Sequence, residues 1–111
     1  MPALRVELSP QALLDLEEIA VFVARDDLDA ALSWVDRLVE RAQRVGAVPR
    51  SGRIVPEVGD SEIREVLLRT YRIIYRIEPR RILVLTVIEG RRQLKSTPLT
   101  GRKKSRAARR R

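Results

Sequence analysis

The chain has 111 residues, a formal net charge of +8, and neither cysteine nor histidine. A chain of this length fits a single domain. The missing cysteine excludes disulfides, thiolate metal ligands and cysteine nucleophiles, and the missing histidine removes the usual general base and metal ligand near neutral pH. We therefore expect no metal site and no cofactor. Any catalysis would depend on carboxylates, tyrosines, arginines and Lys95.

The positive charge is concentrated at the C-terminal end. Residues 101–111 hold seven cations and no anion, which leaves 16 cations against 15 anions in residues 1–100. Because this end lacks apolar periodicity, we expect one globular domain over residues 1–98 and a disordered basic tail over residues 99–111. Within the domain, residues 1–45 are acidic in balance and residues 46–100 are basic.

The N-terminal sequence has no signal-peptide pattern, and no window approaches the roughly 18 apolar residues of a membrane helix. We therefore expect a cytoplasmic protein that does not enter a membrane.

The first half of the chain predicts a short strand and a helix. Arg5-Val6-Glu7-Leu8 alternates polar and apolar residues, as a strand does. Ser9 is a good N-cap and Pro10 fits the first helical position, so a helix should run from about Pro10 to Arg25. The apolar spacing predicts a buried stripe made of Leu13, Leu16, Ile19, Ala20 and Val23.

A second helix follows after a very short connection. Asp27 or Asp29 can cap it, and Gly46 should end it. The short connection predicts an antiparallel helical hairpin. Trp34 shares the apolar spacing of this helix and is expected to pack in the core.

The second half predicts an irregular connection over residues 47–60 and then three strands. The strands are Ile63–Leu68, Tyr71–Ile77 and Ile82–Ile88, the last two forming an antiparallel hairpin. The third is apolar on both faces, as in the middle of a sheet. The predicted fold is α+β, with a helical hairpin covering one side of a small antiparallel sheet.

The middle strand of the three carries different side chains on its two faces. Tyr71 and Tyr75 share one face, which should pack on the helices with the hydroxyls at the rim. Arg72 and Arg76 share the other face, which we expect to reach solvent or a ligand.

Five segments in this order resemble the RelE/ParE superfamily of bacterial toxins from type II toxin-antitoxin systems. The resemblance covers about Leu4 to Leu94 and implies the β-α-α-β-β-β fold, a role in plasmid stabilization, and a hetero-oligomer with a cognate antitoxin. The segments are Asp15-Leu16-Glu17-Glu18-Ile19, Pro49-Arg50-Ser51-Gly52-Arg53, Ile63-Arg64-Glu65, Tyr71-Arg72-Ile73-Ile74-Tyr75-Arg76 and Val87-Ile88-Glu89-Gly90-Arg91-Arg92.

The RelE branch of this superfamily cuts messenger RNA on the ribosome. Its chemistry needs arginines for the scissile phosphate and two groups that move protons. The resemblance makes Arg64, Glu65 and Arg92 the candidate catalytic residues, although Glu65 reads better as a solvated glutamate. Proton carriers are scarce, because Glu89 stands where many relatives have histidine and Pro98 where RelE-like enzymes can carry tyrosine.

The ParE branch keeps the fold without these catalytic residues and is associated with inhibition of DNA gyrase through protein contact. The sequence favours this branch. Messenger RNA cleavage on the ribosome and a non-catalytic basic nucleic-acid-binding module remain the alternatives. The candidate binding residues are Arg64, Arg72, Arg76, Arg91 and Arg92, of which Arg72 and Arg76 also suit a merely solvated sheet face.

Overall fold

The computed structural model describes residues 3–90, which form a five-stranded sheet with two helices packed on one face. The predicted basic tail, Arg91, Arg92, Lys95 and Pro98 lie outside the described residues. In chain order the elements are β1 (Arg5–Leu8), α1 (Pro10–Ala24), α2 (Leu28–Gln43), two short 3₁₀ turns (Arg44–Ala47 and Pro49–Ser51), β2 (Arg53–Ile54), β3 (Ile63–Leu68), β4 (Tyr71–Ile77) and β5 (Arg81–Glu89).

The strands are arranged in the order β1-β5-β4-β3-β2. Strand β1 pairs with β5 in parallel, and the other neighbours pair antiparallel. The α+β prediction is confirmed, as is the interior position of the last strand, which lies between β1 and β4. The sheet is larger than predicted, because β1 joins it and because β2 forms within the connection that we expected to be irregular. Two residues of β2 pair with β3, and so short a strand leaves almost no sequence signal.

Helix α1 begins as predicted, and Leu16 and Ile19 of the predicted stripe are buried, but Leu13 is not. The Ser9 hydroxyl accepts the Ala12 N–H at 3.0 Å, which is the expected N-cap. Leu13, predicted to be buried, is 54% exposed, whereas Ala12 and Asp15 are buried. The reason is polar: the Asp15 carboxylate accepts the Val87 N–H at 3.0 Å and the hydroxyl of Thr86 on β5, which turns this side of the helix toward the sheet.

Helix α2 is capped by the Asp27 side chain, which accepts the Ala30 N–H at 3.0 Å. It ends at Gln43, and the predicted end at Gly46 falls in the following 3₁₀ turn. There the Leu4 N–H donates to the Gly46 carbonyl at 2.9 Å, and a Cβ at Gly46 would lie 2.3 Å from the Leu4 oxygen. Glycine is therefore required for this close approach. Neither helix of residues 3–90 has both the length and the apolar composition to span a bilayer.

The sheet buries apolar side chains on both faces. The main core lies between the sheet and the helices and includes Leu16, Leu38, Ile73 and Tyr75. We expected the opposite face of β4 to reach solvent or a ligand, but the segment between β2 and β3 covers part of it. The second core on that face consists of Val55, Ile63, Ile74, Leu85 and Ile88, with Val58 and Leu83 packed against it.

Candidate functional site

Glu65, a candidate catalytic base, lies in the interior of the protein. It is on β3 and is only 2% exposed. One carboxylate oxygen accepts the Nε–H of Arg72 at 2.6 Å, and the other accepts the Nε–H of Arg53. The expectation of a solvated glutamate is wrong, because alternation along β3 places Glu65 on the same face as Ile63, under the covering segment.

Arg72 completes what we call the ion-pair cluster, made of the buried Glu65 and Arg72 and the exposed Arg53 and Glu57. Its side chain is 8% exposed, and its two terminal nitrogens donate to the Glu57 carboxylate at 2.9 Å each. This bidentate contact holds the pKa of Glu57 below its ordinary value. Arg72 is therefore not on a solvated sheet face. Its guanidinium is already occupied by two carboxylates.

Arg64 faces the other side of the sheet and binds main-chain carbonyls. Its Nε–H donates to the Ser61 oxygen at 2.9 Å, and its Nη1 donates to the oxygens of Gly52 at 3.0 Å and Arg50 at 3.3 Å. Nη2 makes no hydrogen bond within residues 3–90. Arg64 therefore holds the second 3₁₀ turn in place and keeps one nitrogen free to meet an anion.

Tyr75 on β4 also contacts the second 3₁₀ turn, Pro49–Ser51. The fully buried Tyr75 hydroxyl donates to the Pro49 carbonyl at 2.7 Å and accepts the Gly52 N–H at 3.1 Å. A Cβ at Gly52 would lie 2.5 Å from this hydroxyl, so glycine is required. Burial raises the pKa of Tyr75. The expected core position of Tyr75 is confirmed, and its hydroxyl fixes the Pro49–Ser51 turn in place.

The predicted site residues therefore do not converge on one point. Arg64 and Glu65 are adjacent on β3 and lie on opposite faces of the sheet. Arg76 donates to the Glu78 carboxylate at 2.7 and 2.9 Å near the end of β4. Arg91 and Arg92 lie outside the described residues. Within residues 3–90 there is also no acidic cluster able to hold a metal ion.

A feature that the sequence analysis missed is the apolar outer surface of the two helices. On α1, Leu14, Val21 and Phe22 are spaced at i, i+7 and i+8 and lie on one face, with exposed fractions of 54–64%. Leu28 and Leu32, four residues apart on α2, are also exposed, and we call these five residues of the two helices the hairpin patch. Exposed apolar residues grouped on helix faces mark sites of protein contact.

Three solved structures are similar to this fold. The chromosomal ParDE toxin-antitoxin system of Pseudomonas aeruginosa matches with a TM-score of 0.66 and 20% identity, over 78% of this chain and 96% of that one. The toxin-antitoxin complex RelBE2 of Mycobacterium tuberculosis matches at 0.59 and 20%, over 80% and 93%. A double arginine-to-alanine mutant of the Escherichia coli toxin RelE, in the free state, matches at 0.59 and 15%, over 95% and 98%.

At these identities the structures establish the shared fold. No protein of curated function is similar enough in sequence to match. The sequence profile of one family, described as the ParE toxin of the type II toxin-antitoxin system parDE, does match, over residues 6–94. Because this match spans well over half of the 111 residues, the chain belongs to the ParE toxin family and is the toxin of a type II toxin-antitoxin system.

Proposed function

We propose that this toxin inhibits DNA gyrase through protein contact in the bacterial cytoplasm and is neutralised by a cognate antitoxin. The observation that carries the proposal is the enclosure of Glu65 between Arg53 and Arg72. Glu65 is our candidate base for RNA cleavage, and both of its oxygens are bound to guanidinium groups.

The geometry disfavours RNA cleavage for a chemical reason. A general base has to lie within hydrogen-bond reach of the proton that it takes, about 2.6–3.2 Å from the 2′-oxygen. Glu65 is 2% exposed, so RNA reaches it only if the covering segment leaves. Arg64, the nearest candidate for binding phosphate, faces the other side of the sheet. A phosphate held by Arg64 would therefore be separated from Glu65 by the strand itself.

Exposed apolar and basic side chains support binding to a protein rather than cleavage of RNA. The hairpin patch supplies apolar area, which is the main source of affinity between proteins. Within residues 3–90, exposed arginines on the helical hairpin and in the β3–β4 turn have no ion-pair partner and would steer the toxin to an acidic protein surface. They are Arg25, Arg37, Arg44 and Arg69.

The antitoxin is proposed on two grounds. Two of the similar structures are toxin-antitoxin systems, ParDE and RelBE2. This chain also has a sequence pI of about 11.1 and an exposed apolar surface, which fit a partner segment that is acidic and amphipathic. Such a segment can be disordered alone and become ordered along a toxin surface.

Induction in a bacterial host, with and without the neighbouring gene, tests both parts. We expect filamented cells with a DNA-damage response and intact messenger RNA, and we expect co-expression of the neighbouring gene to restore growth and to co-purify both chains. Rapid cleavage of translated messages would instead establish the RelE-type alternative. Harmless expression of a partnerless protein would leave the binding module as the better account.

A further inference from the structure

A second polar feature lies on the helix side of the molecule, around Trp34 of α2. The guanidinium carbons of Arg37 and Arg69 lie 5.1 and 5.6 Å from the centre of the indole ring. Tyr71 meets the same ring edge-on, with centroids 5.9 Å apart and an interplanar angle of 62°. Two cations and an aromatic ring therefore surround one tryptophan at the protein surface.

The turn between β3 and β4 places Arg69 in this position. Arg69 is the only residue other than glycine with a positive φ among residues 3–90, at 54°. Such a conformation is uncommon for an arginine. Here it directs the chain around a two-residue turn and sets the Arg69 guanidinium over a residue of α2. Arg37 reaches the indole from its own helix, three residues beyond Trp34.

The three side chains line a surface cavity of about 420 Å³, which also includes Val23, Ala30 and Tyr71. No carboxylate is among its lining residues, and neither Arg37 nor Arg69 forms an ion pair within the described part of the chain. A guanidinium packed against an aromatic ring keeps its N–H edges available for a carboxylate. The cavity thus combines apolar walls with two uncompensated cations.

We propose that this cavity binds a carboxylate side chain from an acidic, amphipathic segment of a partner polypeptide. The carboxylate would accept hydrogen bonds from Arg37 and Arg69, while apolar neighbours in the segment pack on Val23 and Ala30. The identity of the partner rests on the proposed antitoxin, but the chemistry of the cavity does not.

A nucleic acid fits the same place less well. Two guanidinium groups already occupy positions over the indole, so the ring is not an open platform on which a base can stack. A peptide whose isolated carboxylate accepts hydrogen bonds from the N–H edges of Arg37 and Arg69 does not need access to the face of the ring.

The fluorescence of Trp34 provides a direct test, because it is the only tryptophan in the chain. The full-length toxin is titrated with a tryptophan-free amphipathic peptide that carries Leu and Glu at helical spacing, and with the matching peptide that carries Gln for Glu. A thymidine oligonucleotide is the third probe. The variants are R37Q and R69N, since asparagine tolerates positive φ, and R80Q is the control with equal loss of charge in the distant β4–β5 turn.

We expect saturable changes in Trp34 emission with the Glu peptide, about tenfold weaker binding of the Gln peptide, and about tenfold weaker binding of the Glu peptide to R37Q and R69N. R80Q should bind like the wild type. Equal affinity for both peptides, an equal loss in R80Q, or tighter binding of the oligonucleotide would each overturn the proposal. A toxin that binds the Glu peptide but leaves gyrase active would contradict only the proposed function.

Discussion

The Glu65 carboxylate and the Arg72 guanidinium, 2.6 Å apart, form an ion pair with side chains 1% and 8% exposed. The pair joins β3 to β4 on the sheet face that the segment between β2 and β3 covers. Arg53 and Glu57 extend it to β2 and to that segment. Glu65, a catalytic candidate by its resemblance to the toxin family, therefore stabilises the sheet from the interior of the protein.

Glu65→Gln should lower the free energy of unfolding by about 3 kcal/mol, because it leaves the buried Arg72 without half of its compensating charge. Glu57→Gln is the matched control, since Glu57 is 46% exposed and should contribute about 1 kcal/mol or less. Urea denaturation of the two variants measures both values. Equal effects of the two substitutions would show that Glu65 is not the buried anchor of the cluster.

Glu57 should also give the toxin an acid-sensitive contribution to stability. Its pKa in the folded protein is lowered, chiefly by hydrogen bonding to Arg72. That contribution is fully present above the unfolded pKa, about 4.3, and is lost as the pH falls through the lower folded value. The difference in stability between wild type and Glu57→Gln should therefore shrink below about pH 4. A difference that stays constant down to pH 2 would contradict this role.

Tyr75→Phe removes a hydroxyl that both donates to Pro49 and accepts from Gly52. We expect a loss of about 2 kcal/mol in urea denaturation, because the buried Gly52 N–H and the partly buried Pro49 carbonyl both lose their partner. Tyr71→Phe is the control, since the Tyr71 hydroxyl makes no hydrogen bond within residues 3–90, and it should change stability by less than about 0.5 kcal/mol.

Tyr75→Phe should also differ from the wild type in its stability at alkaline pH. Burial raises the folded pKa of Tyr75 above its unfolded value of about 10. The stability that this shift contributes is fully present below pH 10 and is lost as the pH rises toward the folded value. Wild-type toxin should therefore lose stability above about pH 10 more steeply than Tyr75→Phe. Parallel curves would indicate that the hydroxyl is accessible to solvent.

The elements of the fold could be predicted from the sequence because their signals are local. The N-caps at Ser9 and Asp27 and the period-two strand patterns depend on nearby residues, and the structure confirms them. On α1 the sequence predicts the burial of Leu16 and Ile19 correctly but misses Asp15, because the contact that buries Asp15 is not local. Asp15 meets Thr86 and Val87 some 71 and 72 residues later, and only the folded sheet shows this contact.

The candidate site was less predictable because charge alone does not report burial. Arg72 and Glu65 read as surface residues, since lone charged side chains usually are. They are buried as an ion pair that joins β4 to β3. The two residues are seven positions apart in the sequence, and the sequence does not indicate that they touch. Trp34 packs against the core as expected, but its arrangement with Arg37 and Arg69 depends on the conformation of a single turn.

Deleting residues 101–111 should weaken binding to non-specific DNA at low salt, because these residues carry seven cations and no anion. The slope of log affinity against log salt should become shallower, since fewer counterions are released. We expect thermal stability and toxicity to remain nearly unchanged, because the family match ends at residue 94. If the truncated protein unfolds, or if it stays folded but loses its toxicity completely, the predicted domain boundary at residue 98 is wrong.

The most direct test of the central claim uses purified full-length toxin in two parallel reactions. One contains DNA gyrase, relaxed plasmid and ATP, and the other contains ribosomes translating a defined messenger RNA. The account predicts inhibition of supercoiling in the first reaction and an intact message in the second, with the Arg80→Gln control behaving as wild type in both. Normal supercoiling together with cleavage of the translated message would contradict it.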